Sequence, residues 1–480
     1  MLEKHLVAKI AEQKLELSEI RKESRYLRHR TKELSDSRDL WKEKYNFSQA
    51  KLVQYERKSR VINSVEEDLK GVKGHKYSLK VITFSVMLHI FAGCSFRSVH
   101  KVLGCLKTEY GLFLGDYPSK SSVENWVQKL GYSEYAQIGS DTFEGDYAVI
   151  IDESMVVGQQ RMIIVLGVDA VKVDKNAIGF GTVRLLHIAV RPSWNWENVK
   201  ELLAKVTEKI GKKPVYVISD GGGNLTKGIK EAELERIADV GHQIAKCVEQ
   251  TYGHQEIFKA FTKAVAGVKF REVMKETSYL LPPKQRAIAR FMNLSGIVNW
   301  AADILRIFGN LTTAEQETFA FLKDFRCLIK ELESVFEMTH KMLKIIKNEG
   351  ISYENIDKCS VLGVQYSTKI PIILTDKIKA YFKETKDKLP DATTIWHASS
   401  DVLESLFGKF KQISSPNKLH GVTPFVLSLC VYTNFDEHTK DMANQIKFAL
   451  ENVFMTDLKE WKQANLIDNQ VVKRIKTLKK

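Results

Sequence analysis

The stretch that most constrains this chain is Pro214–Leu225, PVYVISDGGGNL. Val215, Tyr216, Val217 and Ile218 form a short apolar run rich in β-branched residues, the composition of a buried strand. Asp220 falls where that strand must end, because Gly221, Gly222 and Gly223 follow at once. Asn224 is placed to cap a following helix. A carboxylate at the lip of a central strand is held by rigid backbone and faces the open edge of the sheet, which suits a metal ligand. An ordinary strand–turn–helix corner with a capping Asp has the same local pattern, so the rest of the chain must decide between them.

The surrounding residues supply the sheet. Ala148–Ile151, AVII, reads as a strand ending in Asp152; Arg161–Val168 and Thr182–Val190 read as two more. Asn195–Ile210 has helical spacing and starts at the Ser193–Asn195 turn. The order is thus strand, strand, strand, helix, strand, with an acid after the first and fourth strands. A helix is expected near Leu225–Glu233, then a short strand around Arg236–Ala238 with Asp239 and His242 at its end, then a helix over Gly241–Thr262. Residues 263–396 are helical in pattern, with long apolar periodicities in Arg290–Gly309 and Phe319–Ile346. Sheet-associated segments resume with Ser400–Phe410, an amphipathic helix bearing Glu404. The loop Pro416–Gly421 and an apolar helix over Thr423–Tyr432 follow, and the basic tail VVKRIKTLKK is expected to be mobile.

Upstream, residues 1–70 contain neither Gly nor Pro, and Ile20, Leu27, Leu34 and Trp41 recur every seventh position. This spacing predicts a long helix that pairs with another copy as a coiled coil; its companion positions Ser24, Thr31 and Arg38 are polar, so a single helix with i,i+4 ion pairs is the alternative. After Gly71–Tyr77, three helices are expected: Ser78–Ala92, Phe96–Leu106 entered through Ser95, and Ser119–Leu130 with Ser119 as N-cap. Two helices and a third opened by small polar and basic residues fit a helix-turn-helix. Lys120, Ser121, Ser122 and Asn125 would then reach base edges, while Val123, Trp126, Val127 and Leu130 face the core. A structural three-helix bundle is the alternative.

Charge and composition narrow the partners. A net charge of +14 fits a polyanionic partner such as nucleic acid. No run approaches the roughly 18 apolar residues of a membrane span, and the charged N-terminus has no secretory h-region, so no membrane partner is expected. The six cysteines are dispersed with no CxxC pair, which argues for reduced thiols and against zinc.

Asp152, Asp220 and Glu404 together carry the chemistry. Two strand-end aspartates and a helix-borne glutamate offer oxygen-only ligands, as Mg²⁺ or Mn²⁺ prefers. Two such ions about 3.5–4 Å apart stabilise the attacking and leaving oxygens of a phosphodiester displacement without a protein nucleophile. Alternatives stay open at each position. Asp169 ends the second strand and could replace one ligand, and Asp401 lies one turn before Glu404. His242 either orients the site, contacts DNA or is a structural histidine. A dinucleotide loop at the glycines is disfavoured, because GxGxxG is absent and Asp220 would repel a pyrophosphate. Lys284, Arg286 and Arg290 lie within a basic turn or helix start that could grip phosphates, with a solvated basic face as the alternative for each one singly.

These pieces, VIIDES at Asp152, VISDGGGNL at Asp220, DVGH at Asp239–His242, LPPKQRAIARFMNL at Leu281–Leu294 and LESLFGKFK at Glu404, resemble the DDE/D transposases of the insertion-sequence type, which have an RNase H-like catalytic core. The resemblance covers roughly residues 78–435. It implies that Asp152, Asp220 and Glu404 are the catalytic acids and metal ligands, holding two Mg²⁺ or Mn²⁺ ions, with Asp239, His242 and Asp401 as auxiliary candidates. The fold expected is an α/β RNase H-like core with a large all-α insertion, preceded by a helix-turn-helix domain and the N-terminal long helix. Its parts are residues 1–70 for oligomerisation, 75–132 for DNA binding, 145–262 for the first part of the core, 263–396 for the insertion, 397–435 for the final core helices and 436–480 for a basic helical tail. The implied activity is metal-dependent DNA strand cleavage and strand transfer on double-stranded element ends and target DNA, by at least a dimer. It would act in the bacterial or archaeal cytoplasm at the nucleoid, or in a eukaryotic nucleus. A catalytically inactive, transposase-derived DNA-binding protein and an RNase H-like nuclease without strand transfer are the alternatives.

Overall fold

A computed structural model describes residues 9–10, 16–42, 44–45, 72–111, 116–152, 155–284, 294–413, 419, 421–434 and 442–479. The chain is mixed α/β, with one six-stranded mixed sheet and many helices. No helix among the described residues is long and apolar enough to cross a membrane.

The first helix, α1, spans residues 16–42 and is almost wholly exposed. Its heptad residues Ile20, Leu27, Leu34 and Trp41 all face solvent. Three helices follow and pack on one another: α2 (Leu79–Ile90), α3 (Phe96–Thr108) and α4 (Lys120–Gln137). Ser78, Ser95 and Ser119 each accept a backbone N–H with the side chain at the start of their helix. This is how short serine-led segments stop competing with the preceding loop and become helix. As expected, Val123, Trp126, Val127 and Leu130 are buried. The third helix runs on to Gln137, and its second half packs against the elements beside the sheet.

The sheet strands are β1 (Tyr147–Ile151), β2 (Met155–Val157), β3 (Gln160–Asp169), β4 (Val183–Arg191), β5 (Tyr216–Ser219) and β6 (Glu235–Ala238). β4 pairs antiparallel along the whole of β3, so β1 and β2 share the other edge of β3. β5 then pairs parallel to β1, and β6 parallel to β5. β2 was not expected; three residues are too few to show a period. β1 and β5 are buried on both faces, as strands of a parallel sheet covered by helices must be.

Side chains alternate between two cores with the period of two that a strand imposes. Tyr147, Val149, Ile151 and Val217 meet α5 (Trp196–Ile210) and α6 (Gly223–Glu231) on one face through Val199, Leu203, Val206 and Ile229. Ala148, Ile150, Tyr216 and Ile218 belong to the core on the other face. That core runs without a break through the α2–α4 cluster and α7 (Val240–Tyr252). It continues into the helices α8 (Glu256–Glu272), α9 (Leu294–Ile307), α10 (Thr313–Phe319), α11 (Arg326–Glu349), α12 (Tyr353–Gln365) and α13 (Ile372–Lys386). Two expectations are corrected here. The helix expected over Gly241–Thr262 is two helices, α7 and α8, because Gly253 is a poor helix former and ends the first. Asn224 does not cap α6; the N-cap is Gly222, and the Asn224 amide donates to Trp194 O at 3.2 Å.

The extended segment Trp396–Ser400 returns the chain from the helical body to the sheet. Trp396 bridges to both Val171 and Ile351 and stacks on Tyr216 at 4.2 Å. Tyr216 Oη accepts from the His397 amide at 2.8 Å, and Val240 N donates to Ala398 O at 2.9 Å. These contacts aim α14 (Asp401–Ile413) from the end of β6. A short 3₁₀ turn, Pro424–Leu427, leads into α15 (Ser428–Asn434), and α16 (Met442–Asn452) and α17 (Met455–Asn465) follow. The basic tail is helical: α18 (Gln470–Leu478) begins at Asn469, whose side chain accepts from Val472 N at 2.9 Å.

Candidate acidic site at the sheet edge

β1 and β5 place the two aspartates. Their register pairs Val149 with Val217 and Ile150 with Ile218. Asp152 and Asp220 each follow the last residue of these neighbouring parallel strands, which lie about 4.8 Å apart, so both acids stand at the same edge of the sheet, and the charges of both act on His242. Both residues are half-buried at the carboxyl edge of the sheet. Asp152 follows the last residue of β1, and β2 begins at Met155 on the same edge of β3. Asp220 Oδ1 accepts the Gly222 amide at 3.1 Å, so the glycine loop holds the carboxylate.

A basic and hydrogen-bonded frame surrounds the pair. Arg236, on the neighbouring strand β6, donates from Nε to Ser219 Oγ at 2.8 Å and from Nη2 to the carbonyls of Ser219 and Asp220. Burial lowers its pKa while the charge of Asp220 works the other way. Asp239 is buried at the end of β6 and is fully engaged. Its Oδ1 accepts from His242 N at 2.7 Å and faces His242 Nδ1 at 3.0 Å, and its Oδ2 accepts from Ser400 N at 2.7 Å and Ser400 Oγ at 3.0 Å. Burial pushes the Asp239 carboxyl up, but the bonds from His242 and Ser400 together hold it below its ordinary value. His242 is raised to about 9, chiefly by its bond to Asp239 against the opposing effect of burial, with further help from the charges of Asp239, Asp152 and Asp220. His242 lies within the field of both strand-end aspartates, and that field favours its charged form.

The third acid is less closely placed. Glu404 sits in the first turn of α14, which starts from Ser400 at the same edge of the sheet, and it is exposed. Among the described residues, no three Asp, Glu, His or Cys side chains gather closely enough to hold a metal ion. The two aspartates share the carboxyl edge of the sheet; Glu404 does not complete a triad with them. Two carboxylates still match the way Mg²⁺ is commonly held, by one or two carboxylates and retained waters.

Register removes one alternative and an ion pair occupies another. Asp169 pairs with Tyr147, at the opposite end of β1 from Asp152. Five residues of strand put it roughly 17 Å from the acidic pair, too far to share an ion. Asp401 is paired with Lys347 Nζ of α11. Of the DNA-binding candidates, Lys120, Ser121 and Asn125 are exposed on the first turns of α4, and Ser122 is half-buried with its Oγ 3.1 Å from Ser119 Oγ. Lys284 is exposed, and Arg286 and Arg290 lie outside the described residues. Sequence reasoning missed Arg236, Ser400 and Lys347. Arg236 carried a signal, as a lone arginine in a short strand next to one ending in Asp; Ser400 and Lys347 are recruited from far along the chain and carried none. No family model matches the sequence, and no curated protein matches it significantly.

Proposed function

We propose that this chain is a DNA transposase-type enzyme with an RNase H-like core, which binds double-stranded DNA through α4 and cuts and joins strands at the Asp152–Asp220 edge. The observation that supports the proposal is the parallel pairing of β1 with β5, which ends both strands at the same edge of the sheet with Asp152 and Asp220 as the next residues. Asp152 and Asp220 would hold a divalent cation, Mg²⁺ or Mn²⁺, and Glu404 would join them when DNA and metal draw α14 inward. Bound metal would supply electrostatic stabilisation of the attacking and leaving oxygens of the phosphodiester. Protonated His242 offsets the negative charge of the pair and is a ready partner for phosphate. The exposed heptad face of α1 supports assembly with a second copy.

That Glu404 does not gather with the aspartates into a ligand set among the described residues favours a second reading, a transposase-derived protein that binds DNA and no longer cuts it. Incubation of the full chain with supercoiled plasmid and Mg²⁺ or Mn²⁺ separates the readings. The enzyme reading expects nicked, linear and joined products, lost in Asp152→Asn, Asp220→Asn and Glu404→Gln while DNA binding persists. Binding without cutting by the wild type selects the second reading, and cutting without joined products selects a nuclease. Cutting that survives Glu404→Gln but not Asp401→Asn moves the third acid back one turn.

A further inference from the structure

We propose that a pocket beside the glycine loop that follows Asp220 receives one unpaired nucleotide of the DNA, with its base against the Trp194 indole and its phosphate against Arg161. The inference rests on the DNA-processing reading and goes beyond it by assigning a substrate subsite. The pocket has a volume of about 350 Å³ and is lined by Arg161, Ser193, Trp194, Gly222, Gly223 and Asn224, among others. This lies within the size range of ligand pockets, about 300–1,000 Å³. Its lining includes Gly222, whose amide holds the Asp220 carboxylate, so a nucleotide seated there lies against the loop that carries Asp220.

Three observations point to a nucleotide. The first is charge. Arg161 and Arg191 are direct cross-strand partners on β3 and β4, and like charges opposite one another are unfavourable unless something neutralises them. Arg191 is paired with Glu201 at 2.9 Å. Arg161 is exposed and has no carboxylate partner among the described residues, which leaves its guanidinium for an anion.

The second is the indole. Trp194 Nε1 donates to Arg161 O at 3.0 Å, which fixes the ring at the pocket wall, and the Arg191 guanidinium lies 5.6 Å from its centroid. A fixed aromatic ring beside an arginine, at the wall of an open pocket, is an arrangement on which single-stranded bases stack.

The third is the glycines. Gly221, Gly222 and Gly223 do not adopt positive φ. A Cβ at Gly221 or Gly223 would meet nothing within 4 Å. Neither conformation nor internal packing calls for glycine at those two positions, and close approach of an outside group to the backbone is the use that remains.

The test uses the full chain without divalent metal and DNA duplexes with a short single-stranded end carrying 2-aminopurine at successive positions. Stacking on Trp194 quenches the probe at one position. Trp194→Phe keeps the quenching, while Trp194→Ala removes it and weakens binding of the overhang duplex roughly tenfold, the loss expected for one stacked base. Arg161→Gln weakens the overhang duplex more than a blunt one. Should Trp194→Ala fail to fold by circular dichroism, Gly223→Leu takes its place: its side chain starts in open space, fills the pocket and blocks quenching. Binding of the duplexes with no position quenched, or quenching unchanged in the folded pocket variants, overturns the subsite and leaves the DNA reading intact. No binding of any DNA removes both.

Discussion

Replacing His242 by Gln should flatten the pH dependence of stability between about pH 6.5 and 9. In the folded chain His242 keeps its proton up to about 9, against an ordinary value of 6.5, chiefly through the bond to Asp239. A histidine whose folded pKa is raised stabilises the fold fully below its unfolded value, and this contribution is lost as pH rises through the folded value. At about 1.36 kcal/mol per pH unit, a rise of this size has an upper bound of ~3 kcal/mol. The ring is 30% exposed, so solvent screening reduces this to about 1–2 kcal/mol. Asp239, held low, acts at the other end of the scale: its contribution is present at neutral pH and lost on acidification. The assay is thermal unfolding of wild type and His242→Gln across pH 6–10. The wild type should be the more stable below pH 6.5, and the gap should narrow by about 1–2 kcal/mol by pH 10. Parallel profiles would refute the coupling of His242 to the buried carboxylate.

Gly131→Ala should destabilise the chain by about 1–3 kcal/mol or more, because its Cβ would lie 2.1 Å from Leu427 O, a backbone atom that cannot swing aside. A rise in melting temperature, as helix propensity alone would give, would show that α4 does not sit so close to the 3₁₀ turn. Asn125→Ala should lower the preference for a cognate DNA sequence over random DNA by about 1–3 kcal/mol, whereas replacing Lys284 should weaken both alike and flatten the salt dependence. An unchanged specificity ratio in competition binding at two salt concentrations would remove α4 as the reading helix. A chain beginning at Gly71 should sediment as a smaller assembly than the full chain, since Ile20, Leu27, Leu34 and Trp41 leave an apolar stripe in solvent; equal subunit numbers would remove the coiled coil.

Much of this architecture was legible because local chemistry and burial agree. The apolar run at Val215–Ile218 and its glycine stop gave β5 and the position of Asp220, and Ser78, Ser95 and Ser119 marked three helix starts. Short or interrupted elements were not legible: β2 has three residues, and the α7–α8 break turns on one glycine. Long-range placement was hidden for a different reason. Nothing near Glu404 in sequence says that Trp396 will stack on Tyr216, or that Ser400 will close on Asp239, and those contacts fix where α14 begins. Likewise Asp169 and Asp152 look alike as strand-end acids, and only the antiparallel direction of β3 separates them.

The central claim is that Asp152 and Asp220 act as one cation site, and a Mn²⁺ titration followed by electron paramagnetic resonance tests it without reference to activity. The full chain should take up Mn²⁺ at a site that Mg²⁺ displaces. Asp152→Asn and Asp220→Asn should each weaken it by an order of magnitude or more, because an amide offers a poorer, uncharged oxygen. Asp169→Asn should leave it unchanged. Mn²⁺ uptake that is the same in wild type, Asp152→Asn and Asp220→Asn would contradict the account.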